Sequence, residues 1–160
     1  MIRRANVLDI SAIIFMLNSM HKETIVDVPK IHTHKLVNKV NELLHTGIVL
    51  VEVNDNKIVG SIAGMKVTDW WSDESYLADA WFYVFPEERK SSIAKNLCKD
   101  FIKIAKEAKL KVRLGHIFSG DIDRKDKFYE KLDLVKVGST YMSKLQKWQV
   151  LITHNTLVPD

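Results

Sequence analysis

Two β-rich runs, IVLVEV (residues 48–53) and KIVGSIAGMKV (57–67), are separated by NDN alone. Runs dense in β-branched residues and joined by turn-forming ones predict an antiparallel hairpin. A third such run, YLADAWFYVF (76–85), follows the loop-like TDWWSDES. It passes directly into a helical pattern from Ser91 to Ala108, where Ala94, Leu97, Cys98, Phe101, Ala105 and Ala108 make one apolar side. Lys95, Lys99 and Lys103 fall at i, i+4 spacing on the wet side. A doubly wound parallel sheet would contain no such hairpin, so the chain reads as an α+β domain.

The flanking segments complete the order β-α-α-β-β-β-α-β-α-β. Ile2 to Arg4 reads as a short strand, and Ile10, Ile13, Ile14 and Leu17 share a helical face with Asp9 placed as its N-cap. A second helix runs from about His34 to His45, with Gly47 as its stop signal. After the central helix, KVRLGHIF (111–118) reads as a strand, RKDKFYEKL (124–132) as a short helix and LVKVGSTYMSKL (134–145) as a closing strand. The tail from 146 to 160 is apolar enough to pack, as an extra strand or as a homodimer contact through Trp148. At 160 residues a single domain with a real core is expected.

Charge is concentrated. The chain carries a formal +4, but residues 88 to 113 hold nine Lys or Arg against three acids, a net +6, leaving −2 for the rest. A partner for such a segment is a phosphorylated small molecule or, less in keeping with the absence of any known binding motif, nucleic acid. One cysteine, Cys98, excludes an intrachain disulfide and a cysteine metal cluster. The histidines show no HExxH spacing, and His32 and His34 do not share a helix face, so no metal is expected. No run approaches the roughly 20 apolar residues of a membrane span, and MIRRANVLDI lacks a signal-peptide core, which favours a cytoplasmic protein.

The stretch PEERKSSIA (86–94) turns a strand into a helix N-terminus. Unpaired N–H groups there, with Arg89 and Lys90 beside them, suit an anion such as phosphate. The stretch matches neither a P-loop nor a dinucleotide fingerprint. In order along the chain, IRRANVLDISAIIFML, VLVEVNDNKIVGSIAG, WFYVFPEERKSSIAKNLCKDFIKIAKEA and FYEKLDLVKVGSTYMSKL resemble the successive segments of the Gcn5-related N-acetyltransferase (GNAT) superfamily. The resemblance covers roughly residues 1 to 145. It implies a single GNAT domain over 1–145, with a mixed, mainly antiparallel sheet of six to seven strands flanked by about four helices.

By this resemblance, acetyl-CoA is the co-substrate and a primary amine, on a small molecule or a protein, is the acceptor. The backbone of Phe82, Tyr83 and Val84 would hold pantetheine. Arg89, Lys90, Ser91, Ser92, Ile93 and Ala94 would hold the pyrophosphate, matching the signature Gln/Arg-x-x-Gly-x-Gly/Ala. Ser92 departs from it, standing where the family has glycine. Ile122 and Lys125 depart as well, at positions where the family often has Asn and Ala, leaving Asp121, Asp123 or Arg124 as substitute contacts. Tyr129 occupies the place of a general acid for the departing thiolate. Asp79, with side-chain parity shared by Trp81 and Tyr83, resembles a position that holds an acidic residue and is the candidate base; His116 is a second candidate, with a structural role as its alternative. Cys98 lies on the apolar helix side and reads as core. The acceptor pocket is expected around the first two helices and the Trp70–Trp71 loop, where Asp73 and Glu74 would attract a cationic amine. The departures keep a second reading open, a degenerate acyl-CoA-binding or regulatory module without turnover.

Overall fold

The computed structural model describes residues 1–24, 28–116 and 121–141. In chain order the elements are β1 (Ile2–Arg4), α1 (Ile10–Lys22), α2 (Thr33–Thr46), β2 (Ile48–Asn54), β3 (Lys57–Thr68), β4 (Ser75–Val84), α3 (Ile93–Glu107), β5 (Lys111–Arg113) and α4 (Ile122–Glu130). The strands lie side by side in sequence order, antiparallel from β1 to β4, with β5 parallel to β4. This is the expected mixed, mainly antiparallel sheet with four helices, at five strands among the described residues. The segment 134–141 is irregular where a closing strand was expected, and β5 stops at Arg113. Residues 142–160, including the tail and its expected dimer contact, lie outside the described residues.

The hairpin forms as its sequence dictates. Asp55 and Asn56 close β2 onto β3 with φ of 46° and 61°, the paired left-handed conformations of a tight two-residue turn. Both faces of the sheet are covered, which is why β3 is buried without a break from Val59 to Gly64. On one face Ile13, Met16 and Leu17 of α1 and Val40 and Leu43 of α2 pack on Val49, Val51, Ala63, Trp81 and Tyr83. On the other, Leu97, Phe101 and Ala105 of α3 pack on Leu50, Ile62, Leu77 and Val84. The indole N–H of Trp81 donates to the buried Ser61 hydroxyl at 3.0 Å, so neither polar group is left unpaired in the core.

Asp9 does not cap α1 as expected. A short 3-10 turn, Val7–Asp9, precedes the helix, and Asn6 starts it by accepting from the Leu8 N–H. The Asp9 carboxylate instead accepts from the Asn6 N–H and, bidentately, from Arg3. Those hydrogen bonds, the Arg3 one foremost, hold its pKa below the ordinary carboxylate range.

After α4 the chain reverses through Asp133, whose φ of 58° puts a β-carbon in left-handed space. The Asp133 and Leu134 N–H groups donate back to the carbonyls of Glu130 and Tyr129. Glycine adopts this conformation without the side-chain clash, at the expense of a freer unfolded chain. Asp133→Gly is therefore expected to stabilise the fold by about 0.5 kcal/mol, read as a higher midpoint in urea unfolding.

Candidate active site

A bulge decides what faces what along β4. Trp81 pairs with Ala63 and Asp79 with Gly64, so Ala80 is an extra residue with no partner on β3. One inserted residue reverses the alternation of side chains. Leu77 therefore packs against α3 while Trp81 and Tyr83 pack against α1 and α2. Asp79, two residues from Leu77, faces α3. The expectation that it shares parity with Trp81 and Tyr83 is overturned by the bulge.

The same point is where β4 and β5 part. Their pairing covers Tyr76–Lys111, Leu77–Val112 and Ala78–Arg113 and ends there. At the next step a side chain takes over, as the Gly115 N–H donates to Asp79 Oδ1 at 2.9 Å. From Asp79 to Val84, β4 is paired with β3 alone among the described residues, so on the other edge the backbone groups of Phe82 and the Val84 N–H are free, while the Val84 carbonyl is taken by Arg89. An unpaired strand edge of this kind takes an extended ligand by main-chain hydrogen bonds.

At the far end of that edge, a 3-10 turn (Pro86–Glu88) delivers the chain to the start of α3. Ser91 organises the turn by donating to the Glu88 carbonyl at 2.6 Å and accepting from the Ile93 N–H at 3.2 Å. Among the described residues, the N–H groups of Lys90, Ser92, Ala94 and Lys95 have no hydrogen-bond partner. Four unpaired donors at the positive end of a fifteen-residue helix make an anion cradle. Ser92 fits this site with φ −81° and ψ 0°, a conformation open to any residue, so the missing glycine introduces no strain. Its oxygen accepts from the Asn96 amide at 3.2 Å, which leaves the hydroxyl proton free to donate.

Arg89 is directed elsewhere. Its Nε donates to the Val84 carbonyl at 2.8 Å, its Nη2 to Glu23 at 2.7 Å, and its guanidinium lies 5.2 Å from the centre of the Tyr83 ring. The Tyr83 hydroxyl donates to the other oxygen of Glu23. Burial and then the Glu23 carboxylate push the Tyr83 pKa up, so the phenol stays protonated. Glu23, at the C-terminus of α1, was not singled out from the sequence; sixty-six residues separate it from Arg89, and no linear pattern connects them. Lys125 of α4 sits close enough to Arg89 for repulsion, after burial, to lower its pKa. Of the two departures on α4, Ile122 is exposed and Lys125 is half-buried near Arg89. Asp121 caps α4 by accepting from the Arg124 N–H.

Three candidate proton carriers converge where the strands part. Burial raises the Asp79 pKa from 3.8 to about 6, against the opposing pull of the Gly115 hydrogen bond and of His116. Tyr129 of α4 is pushed up, first by burial and then by the charge of Asp79, so it remains a phenol. His116 stacks on the Tyr129 ring at 5.9 Å between centroids, 11° from parallel, and its Nε2 is 3.2 Å from Asp126. Asp126 is in turn tied to Lys136 at 2.7 Å. His116 is thus a satisfied residue that sets the Tyr129 ring. Cys98 is fully buried on α3, and burial followed by Asp79 pushes its thiol up to about 12, far from a reactive thiolate.

The Trp70–Trp71 loop lies at the opposite end of β4 from the cradle. It precedes β4, whereas the cradle follows it, about 30 Å away along the ten-residue strand. The loop is fixed there by Arg113, which donates to both oxygens of Asp69, and by Lys111, which pairs with Glu74. Trp70 and Trp71 are exposed and meet edge-on at 5.2 Å. Asp73 is exposed on the same loop.

A sequence profile described as the Acetyltransferase (GNAT) family matches residues 17–133. No curated protein matches the sequence. Among solved structures, a predicted acetyltransferase with acetyl-CoA from Clostridium acetobutylicum is 16% identical, with a TM-score of 0.73 over 91% of this chain and 96% of that one. A ribosomal-protein-alanine N-acetyltransferase from Brucella melitensis is 18% identical, with a TM-score of 0.65 over 90% and 99%. The aminoglycoside antibiotic 6'-N-acetyltransferase of Acinetobacter haemolyticus is 14% identical, with a TM-score of 0.68 over 90% and 97%. At such identities the structures speak for the fold, and the profile, which takes in most of the chain, speaks for descent. From both the parted strands and the sequence, the chain belongs to the acetyltransferase (GNAT) family.

Proposed function

We propose that the protein transfers an acetyl group from acetyl-CoA to a primary amine by direct attack within a ternary complex, in the cytoplasm. The observation that carries this reading is the free edge of β4 running into four unpaired N–H groups at the start of α3. An extended pantetheine arm and a pyrophosphate are what such an edge and such a cradle would hold. The backbone of Phe82 to Val84 takes the arm, and the N–H groups around Ser92 and Ala94, with Lys90 beside them, take the phosphates. Arg89 acts by holding the end of β4 to α1, with its role toward phosphate passing to its neighbours.

Asp79 and Tyr129 suit the two proton movements. An amine must lose a proton before it attacks, and a carboxylate with a pKa near 6 accepts one better than an ordinary aspartate, directly or through water. The new C–N bond forms as the C–S bond breaks, and the thiolate that leaves, with a pKa of about 8.5, is stabilised by a phenol donor such as Tyr129. The depth and inertness of Cys98 favour direct attack over an acyl-cysteine route. The relatives with named acceptors act on an antibiotic and on a ribosomal-protein alanine, so small-molecule and protein amines both belong in a screen.

The test is calorimetric titration with acetyl-CoA, followed by release of free thiol against an amine panel. Ser92→Glu places a carboxylate before the unpaired N–H groups on a backbone that tolerates it. It is expected to weaken acetyl-CoA by about a hundredfold, the order of losing charge-assisted hydrogen bonds to phosphate. Equal binding by wild type and variant would remove the cradle from the reading. Tight binding without transfer to any amine would make the chain an acyl-CoA-binding module.

A further inference from the structure

Apart from the Lys95 N–H, which belongs to the cradle, the basic stripe of α3 is unused by the site described above. In the fold it lines a groove of about 410 Å³ between the outer side of α3 and the turn after α4. Lys95, Lys99, Lys103 and Lys106 form one wall and Lys131 stands across from them. Ile102 and Leu132, both half-buried, supply apolar surface between the charges. Among the described residues none of the five lysines is ion-paired, and Asp133 is the one carboxylate in the lining. Like charges at i, i+4 spacing repel one another, so the arrangement works against the helix that carries it. What it creates is a focused positive potential over a shaped surface.

We infer that this groove docks an acidic protein segment, a helix presenting carboxylates at i, i+4 spacing with an apolar residue among them. Successive lysines at that spacing rise about 6 Å along α3, the same step that separates carboxylates down one face of a partner helix. Ile102 and Leu132 receive the apolar residue. A helix can also place a neutral side chain opposite Asp133, which a uniformly charged phosphate strand cannot do. Single-stranded nucleic acid draws much of its affinity from bases stacked on aromatic side chains, and the lining contains none. The groove is separate from the phosphate cradle over most of its length. Lys103 and Lys106 lie roughly 15 and 20 Å down the helix from Ile93.

The test is fluorescence anisotropy on the full chain with three labelled probes. The first is a peptide of about 20 residues with Glu at every fourth position and a central Leu, long enough to span the groove as a helix. The second has the same composition with its Glu residues out of that register, and the third is a uridine oligonucleotide. Lys99→Gln, Lys103→Gln and Lys106→Gln are combined in one variant; all three side chains are exposed, and thermal unfolding checks that the fold is intact. The in-register peptide is expected to bind best, to lose about tenfold or more in the triple variant, and to weaken steeply with salt. Saturating coenzyme A is expected to leave its affinity unchanged. Tighter binding of the oligonucleotide, equal binding of the two peptides, indifference to the triple substitution, or displacement by coenzyme A would each overturn the proposal.

Discussion

Asp79→Asn is expected to lower kcat/KM by about a hundredfold or more, the usual contribution of a general base, while making the protein more stable at neutral pH. The second half follows from the shift itself. A carboxyl whose pKa is raised from 3.8 to about 6 binds its proton more tightly folded than unfolded. The wild-type fold is then most favoured below the unfolded value, loses stability as pH rises from about 4 through about 6, and stays at that lower level above. A shift of about two units corresponds to at most roughly 3 kcal/mol, less because the side chain is partly exposed. Asparagine keeps an oxygen for the Gly115 N–H and has no charge to bury. Urea unfolding of the two proteins should therefore diverge at neutral pH and converge in acid. The rate profile supplies an independent reading, because wild-type kcat/KM should fall below pH 6 and Asp79→Asn should lack that limb. Tyr129→Phe, which removes only the donor, should lower kcat and leave the limb in place. Equal activity in the asparagine variant would remove Asp79 from the chemistry, whatever its effect on stability.

The order of elements was legible because each rests on local signals. A β-branched run, an Asp-Asn turn and an amphipathic spacing do not need the rest of the chain to be recognised. The cradle was legible for the same reason, as a helix start with no competing cap. What escaped was everything set by tertiary geometry. The bulge at Ala80 falls where β4 approaches β3 closely at Gly64, and nothing in LADAW indicates that alternation reverses there. Arg89 reads as a free cation beside the cradle until Glu23 arrives from the end of α1. The Trp70–Trp71 loop reads as part of an acceptor pocket, and the strand direction puts it at the end of β4 opposite the cradle. β5 is shorter than KVRLGHIF suggests because the Gly115 N–H goes to the Asp79 side chain and not to a β4 carbonyl, and residues 117–118 of that run lie outside the described residues.

Gly64→Ala is expected to be strongly destabilising. A β-carbon built there would lie 2.3 Å from the Ala78 carbonyl oxygen and 2.6 Å from the ring of Phe101. Neither neighbour can yield. Ala78 is the last residue of β4 that pairs with β5, and Phe101 is fully buried among the residues that join α3 to the sheet. Relief requires β3 and β4 to separate at the bulge. Overpacking usually costs about 1–3 kcal/mol, and here the added loss of ladder hydrogen bonds puts the expected cost above about 3 kcal/mol. That is a large share of the stability of a domain this size. Gly60→Ala is the internal comparison, because its β-carbon would meet only side-chain methyl groups of Val84, Leu97 and Ile93 at 3.0 to 3.3 Å. Those tips can shift by a few tenths of an ångström, so a cost of about 1 kcal/mol is expected. Urea unfolding of the two variants side by side gives the test. If Gly64→Ala proves no worse than Gly60→Ala, the close approach of β3 and β4 does not hold the bulge, and the geometry that turns Asp79 toward α3 has another cause. If the difference appears and the Gly64→Ala protein still folds, its acetyl-CoA affinity should survive better than its turnover, since the cradle at Ser92 lies at the far end of β4 while Asp79 sits on the bulge itself.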